Sequence, residues 1–187
     1  MRRILAAAAV SLVLSGCTAI TIGEPYDKAI DDGLNGFQKA SAEFIKSMEI
    51  NAGTAAGSYN SNEARKYYAA SAATLSNLEL RAELLSSRTC PTEKVLELLG
   101  SIGLDATDTT IGQAEAQLGG EASDSQPLDV SGNCITIMVR GVQMAEDDLE
   151  GDHREANRLT PRVALLNSEA INASVRVTLT ALRSKNY

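Results

Sequence analysis

Apolar residues recur along this chain at alternating intervals of four and three, and the recurrence predicts four long amphipathic helices. The first begins near Tyr26 or Asp27, with Ile30, Leu34, Phe37, Phe44 and Met48 on one face and Ser41 in the remaining slot. Asp27, Asp31 and Asp32 fall in its opening turns, where the helix dipole favours negative charge. A second helix is expected from about Asn62, read as its N-cap, to Ser87. Its seam is Ala64, Tyr68, Ser71, Leu75, Leu78, Ala82 and Leu85, with Leu80 and Leu84 widening the buried stripe. Ala69, Ala70, Ala72 and Ala73 would let another helix approach closely. A third long segment, about Asn133 to Glu155, repeats the spacing through Ile135, Met138, Val142, Ala145 and Leu149. The last, from Thr160-Pro161 to Ser184, does so through Val163, Leu166, Ala170, Ala173 and Val177, extended by Leu179 and Leu182.

The segments between are shorter and more polar. Gly53 to Ser61 reads as a loop. Pro91 suits the first position of a short helix carrying Val95, Leu98, Leu99 and Ile102, with Gly103 at its end. Gly103 to Gly132 is rich in Gly, Asp, Thr and Ser. Thr110 to Leu118 is the one further helical stretch expected within it, and the remainder reads as an irregular connection. No long segment alternates with period two. The fold class that follows is all-α: a bundle of four long helices with one or two short ones.

The N-terminus is of a different kind. Arg2 and Arg3 precede an apolar run from Ile4 to Leu14, too short to span a bilayer, which needs roughly 20 residues. The run ends in Leu14-Ser15-Gly16-Cys17. This order of positive, apolar and small-residue regions before a cysteine resembles the lipobox of bacterial lipoproteins. The resemblance covers the first 17 residues and implies that the Cys17 thiol takes a diacylglycerol and that the Gly16–Cys17 bond is cut. Each buried acyl methylene contributes about 0.8 kcal/mol, so two or three chains hold a protein to a membrane without a spanning helix. Thr18, rather than Asp, follows the cysteine, which by analogy with enterobacterial sorting implies the periplasmic face of the outer membrane. The expected organisation is a signal peptide over 1–16, a lipidated tether over 17–25 and one helical domain over 26–187. The residues after Cys17 up to Pro25 reach about 28 Å when extended, which keeps the body near the membrane.

Charge and cysteines narrow the picture further. The whole chain carries a formal charge of −7, and loss of Arg2 and Arg3 would leave 15 basic against 24 acidic residues, or −9. Such a body is repelled by phosphate backbones and anionic head groups, which argues against nucleic acid as a partner and leaves the hold on the membrane to lipid on Cys17. Cys90 and Cys134 remain as an even pair. In an oxidising compartment they are read as a disulfide, with two buried free thiols as the alternative.

Candidate chemistry is sparse. His153 is the sole histidine, within the acidic run Glu146 to Glu155. Glu150 and His153 match the Glu-x-x-His spacing of di-iron bundles, but such a site needs the motif twice. With Gly151 at the sixth position of a calcium loop, the twelfth is Asn157 rather than glutamate. The run is therefore expected to be a solvated helix face, with His153 exposed and dispensable. No nucleophile elbow, phosphate loop or dinucleotide fingerprint occurs. Tyr59, Tyr67 and Tyr68 are expected to pack at the core and its rim, with a partner contact as the alternative. No catalytic residue, metal ligand or cofactor is assigned. The expected function is that of a non-enzymatic interaction or scaffold component of the cell envelope, binding another envelope protein or itself. The alternatives are an envelope enzyme using carboxylates and a carrier of an apolar ligand.

Overall fold

Residues 24–91, 93, 94, 97, 98 and 129–184 are described in the computed structural model of this chain. Four helices account for most of them: α1 (Lys28–Ile50), α2 (Asn62–Glu83), α3 (Cys134–Ala156) and α4 (Pro161–Arg183). Each packs against two others, α1 and α3 both lying between α2 and α4, which closes a four-membered ring around one core. No strand occurs among the described residues, and none of their helices is long and apolar enough to cross a membrane. The all-α bundle expected from periodicity is the fold. Residues 93, 94, 97 and 98 are helical, in keeping with a short helix after Pro91, and Leu98 is buried in the main core. Thr110 to Leu118, the lipobox and Cys17 lie outside the described residues.

Each helix start has a local cause. Asp27 caps α1 through one carboxylate oxygen that accepts from the amides of Ala29 and Ile30. Ser61, one residue before the expected Asn62, caps α2 by accepting from Ala64 N. Asn133 caps α3, and Thr160 caps α4 with Pro161 in its first turn. Such side chains satisfy backbone donors that have no partner inside the helix.

The seams of the first three helices face the core as expected, with Ile30, Leu34, Met48, Leu75, Ile135, Val142 and Leu149 almost wholly enclosed. Two expectations fail. Leu80 and Leu84 do not widen the stripe of α2 but stand 58% and 87% exposed, and Ala69, Ala70, Ala72 and Ala73 also face outward. In α4 the buried face is displaced by one residue. Leu166 is half exposed, while Ala164, Asn167, Ile171, Ser174, Val175 and Thr178 point inward. The apolar count misled there because small polar residues fill a narrow seam by bonding backbone carbonyls. Thr178 donates to Ser174 O at 2.7 Å, and Asn167 donates to Val163 O at 3.1 Å.

The end of the bundle that holds the start of α1 is fastened by long-range polar contacts. Arg183 at the end of α4 grips the buried Asp31 through two bonds of 2.6 Å and holds that carboxyl below the usual carboxylate range. Arg81 of α2 reaches the Asp27 cap at 2.8 Å. Asn133 ties two helices at once. Its oxygen accepts from Thr136 N, while its amide donates to Ala82 O at 2.7 Å and Ser86 O at 3.1 Å, covering carbonyls at the end of α2. Beside it the Cys90–Cys134 disulfide joins positions 44 apart in sequence, and Cys90 N donates to Gly132 O at 2.9 Å. Closing a loop of that length is worth about 4 kcal/mol in the chain-entropy account.

Asn133→Ala removes one helix cap and leaves two carbonyls of the α2 terminus with a lost donor. The expected cost is about 2 kcal/mol, measured as a lower urea midpoint with unchanged slope.

Candidate functional site

The opposite end of the bundle holds the chemistry. Phe44 of α1, Tyr67 and Tyr68 of α2, Tyr59 from the loop before it, and His153 of α3 form one aromatic cluster. Phe44 stacks on Tyr67 with ring centres 3.8 Å apart and meets Tyr68 edge-on at 5.2 Å. Tyr59 and His153 meet edge-on at 5.8 Å. These contacts place all three tyrosines where core and rim packing was expected.

His153 overturns its expectation. It is fully buried rather than on a solvated face. Its Nε2 lies 3.1 Å from Gly57 O, and a carbonyl only accepts, so Nε2 carries the proton. Nδ1 then accepts from the Tyr68 hydroxyl at 2.9 Å. Burial pushes the imidazole pKa down, which keeps the ring neutral. The carbonyl that meets it depends on Gly57 being glycine. A Cβ there would stand 2.2 Å from Asn51 O, so any side chain would force this loop off the helix end.

Glu146 is also buried, about two turns before His153 on α3, where Ser71 Oγ donates to one of its oxygens at 2.8 Å. The other oxygen lies 3.0 Å from the Tyr67 hydroxyl, which in turn lies 2.8 Å from Ser41 Oγ, and Ser41 lies 2.9 Å from Phe37 O. The protons in this chain have two consistent arrangements. With Glu146 ionised, Ser41 donates to Tyr67 and Tyr67 to the carboxylate. With Glu146 protonated, the acid donates to Tyr67, Tyr67 to Ser41, and Ser41 to the Phe37 carbonyl. Each form leaves every hydroxyl bonded. Burial pushes the Glu146 pKa up to about 7, against the opposing bonds from Ser71 and Tyr67.

The Glu-x-x-His pair is split between different tasks. Glu150 accepts from the Tyr59 hydroxyl at 2.6 Å while His153 bonds Gly57 and Tyr68. Among the described residues no group of three or more His, Cys, Asp or Glu is arranged to hold a metal ion. Two surface hollows lie nearby. One, of about 380 Å³, runs between α1 and α4 past Ala42, Ile45, Lys46, Glu49, Leu165 and Ser168. The other, of about 460 Å³, is framed by Gly53, Thr54, Ala55, Ser58, Asn157 and Arg158. Neither is lined by Glu146 or His153. The network therefore fixes the packing of three helices and presents no reacting atom to these hollows.

Glu146, Ser41, Ser71 and Gly57 were not singled out from the sequence as a group. A signal did exist. From Val142 the four-three spacing continues through Glu146, Leu149 and His153, so both polar residues stand on the core-facing stripe, as do Ser41 and Ser71 on theirs. No known family, no curated protein and no solved structure matches this chain.

The folded state binds the Glu146 proton more tightly than the unfolded chain does. The resulting stabilisation is complete below about pH 4.5 and is lost as pH rises through about 7. Glu146→Gln keeps the neutral form's donor and acceptor. It is expected to match the wild type near pH 5 and to exceed it by roughly 3 kcal/mol near pH 8.5, by urea unfolding; a difference independent of pH would refute the assignment. His153→Ala removes a fully buried ring and strands two polar partners, and should cost roughly 3 kcal/mol at neutral pH by the same measurement.

Proposed function

We propose that this chain is a lipid-anchored periplasmic protein that serves as a non-enzymatic interaction or scaffold component of the cell envelope, held through lipid on Cys17 to the periplasmic face of the outer membrane. The observation that carries this reading is the ordered sequence Arg2-Arg3, the apolar run from Ile4 to Leu14, and Leu14-Ser15-Gly16-Cys17. Cysteine at the last position supplies the nucleophile that takes the lipid. The acidic body supports lipid over electrostatic attraction as the hold on the membrane.

Support for a binding role comes from how the polar interior is used. Glu146 has the raised pKa expected of a general acid, yet its oxygens are engaged by Ser71 and Tyr67 and its side chain is enclosed. A scaffold uses its surface, and the surface of α2 is apolar beyond what the core requires.

The test begins with cells fed a labelled fatty acid and fractionated. The wild type should carry label in the outer-membrane fraction, and Cys17→Ser should lose label and appear in the soluble periplasm. Absence of label from the wild type would remove the anchor. The second arm is complementation of a deletion strain. Glu146→Gln, which keeps the fold, should restore the wild-type phenotype, and failure by a folded, correctly located variant would point to chemistry at that carboxylate.

A further inference from the structure

The outer face of α2 has chemistry that the bundle does not use. Ala69, Ala72, Ala73, Ser76, Leu80 and Leu84 are all exposed. At 100° per residue they fall within about 120° of one another on the helix surface, forming a single stripe that faces away from α1 and α3. Its two ends differ. The end at Ala69 is small and is bordered by Arg65 and Lys66. The end at Leu80 and Leu84 is bulky and is bordered by Glu83.

We propose that this stripe binds a second copy of the same chain, with the two α2 helices antiparallel about a two-fold axis passing between Ala73 and Ser76. This reading deepens the scaffold proposal by naming its partner. The axis sets Leu80 against the partner subunit's Ala69, a bulky side chain over a small one, and does so twice by symmetry. Leu84 falls beside the aliphatic stem of the partner subunit's Lys66. Arg65 and Glu83 lie on the same edge of the stripe, and in antiparallel helices like edges meet. Arg65 therefore falls opposite the partner subunit's Glu83, again twice. Glu83 has room for this second cation: its side chain is 45% exposed, and the bond to Arg140 at 3.1 Å uses one carboxylate oxygen. A parallel pair would instead stack Leu80 on Leu80 and set each basic end beside its own copy, losing both complementarities.

One helix face covers less than the roughly 800 Å² per partner of a standard interface. The association is therefore weak in dilute solution and is promoted by confinement to a membrane. Each helix is about 34 Å long and each tether reaches about 28 Å, so both anchors reach one bilayer when the paired bundles lie along its surface.

The experiment uses the full chain in cell envelopes under mild oxidation, with Ala69→Cys and Leu80→Cys singly and together. The double variant should give a crosslinked dimer, and neither single variant should, because equivalent positions stand about 16 Å apart along antiparallel helices. A dimer from either single variant, or none from the double variant, overturns the antiparallel pairing. Glu169→Cys, on the exposed face of α4, reports random collision, and crosslinking equal to the double variant also overturns it. In the double-cysteine background, Arg65→Glu or Glu83→Arg alone should reduce the dimer several-fold, and the two reversals together should restore it. Loss without restoration, in variants with unchanged thermal melts, refutes the charge pairing. Crosslinks are read in whichever fraction holds the chain, so failure of the anchor and failure of the pairing give separate results.

Discussion

Burial of the Glu146 carboxylate constrains more of this bundle than any other single interaction. A carboxyl group taken out of water must either stay protonated or find donors, and Glu146 has both routes open. Ser71 and Tyr67 of α2 supply the donors, and Ser41 of α1 extends the chain to a helical carbonyl. A slip of one turn between any two of these three helices would leave a buried polar atom without its partner. Apolar packing alone tolerates such slips far better, since one branched side chain replaces another at modest cost. The carboxylate thus sets register where the hydrophobic stripes set only the faces.

The two ends of the bundle solve the same problem differently. At the end that holds Glu146 and His153, polar groups are enclosed by aromatic rings and satisfied by neutral hydroxyls and one loop carbonyl. At the other end they are caps and ion pairs: half-exposed arginines hold their carboxylates, Arg183 the buried Asp31 and Arg81 the Asp27 cap, and the buried Asn133 joins α2 to α3. The disulfide reinforces that second end, from which the chain would run toward Cys17 in an anchored molecule. Covalent and ionic fastening there holds the start of α1 and of α3 to the ends of α2 and α4.

Periodicity, caps and punctuation determined the number of long helices, their ends to within a few residues and the seams of α1, α2 and α3. These features are local: a four-three repeat turns side chains to one face whatever lies opposite, and a cap bonds amides within its own turn. The cysteine pair was legible because only two such residues remain after Cys17. Tertiary structure decided the rest. The phase of α4, the burial of Glu146 and His153, and the exposure of Leu80, Leu84, Ala69, Ala70, Ala72 and Ala73 depend on which helix lies across the seam. Their partners are remote in sequence: Ser71 is 75 positions from Glu146, Gly57 is 96 from His153, and Asp31 is 152 from Arg183. A charged or polar side chain carries the same identity in water and in a core, and only the donors brought to it by the fold determine which of the two it can occupy.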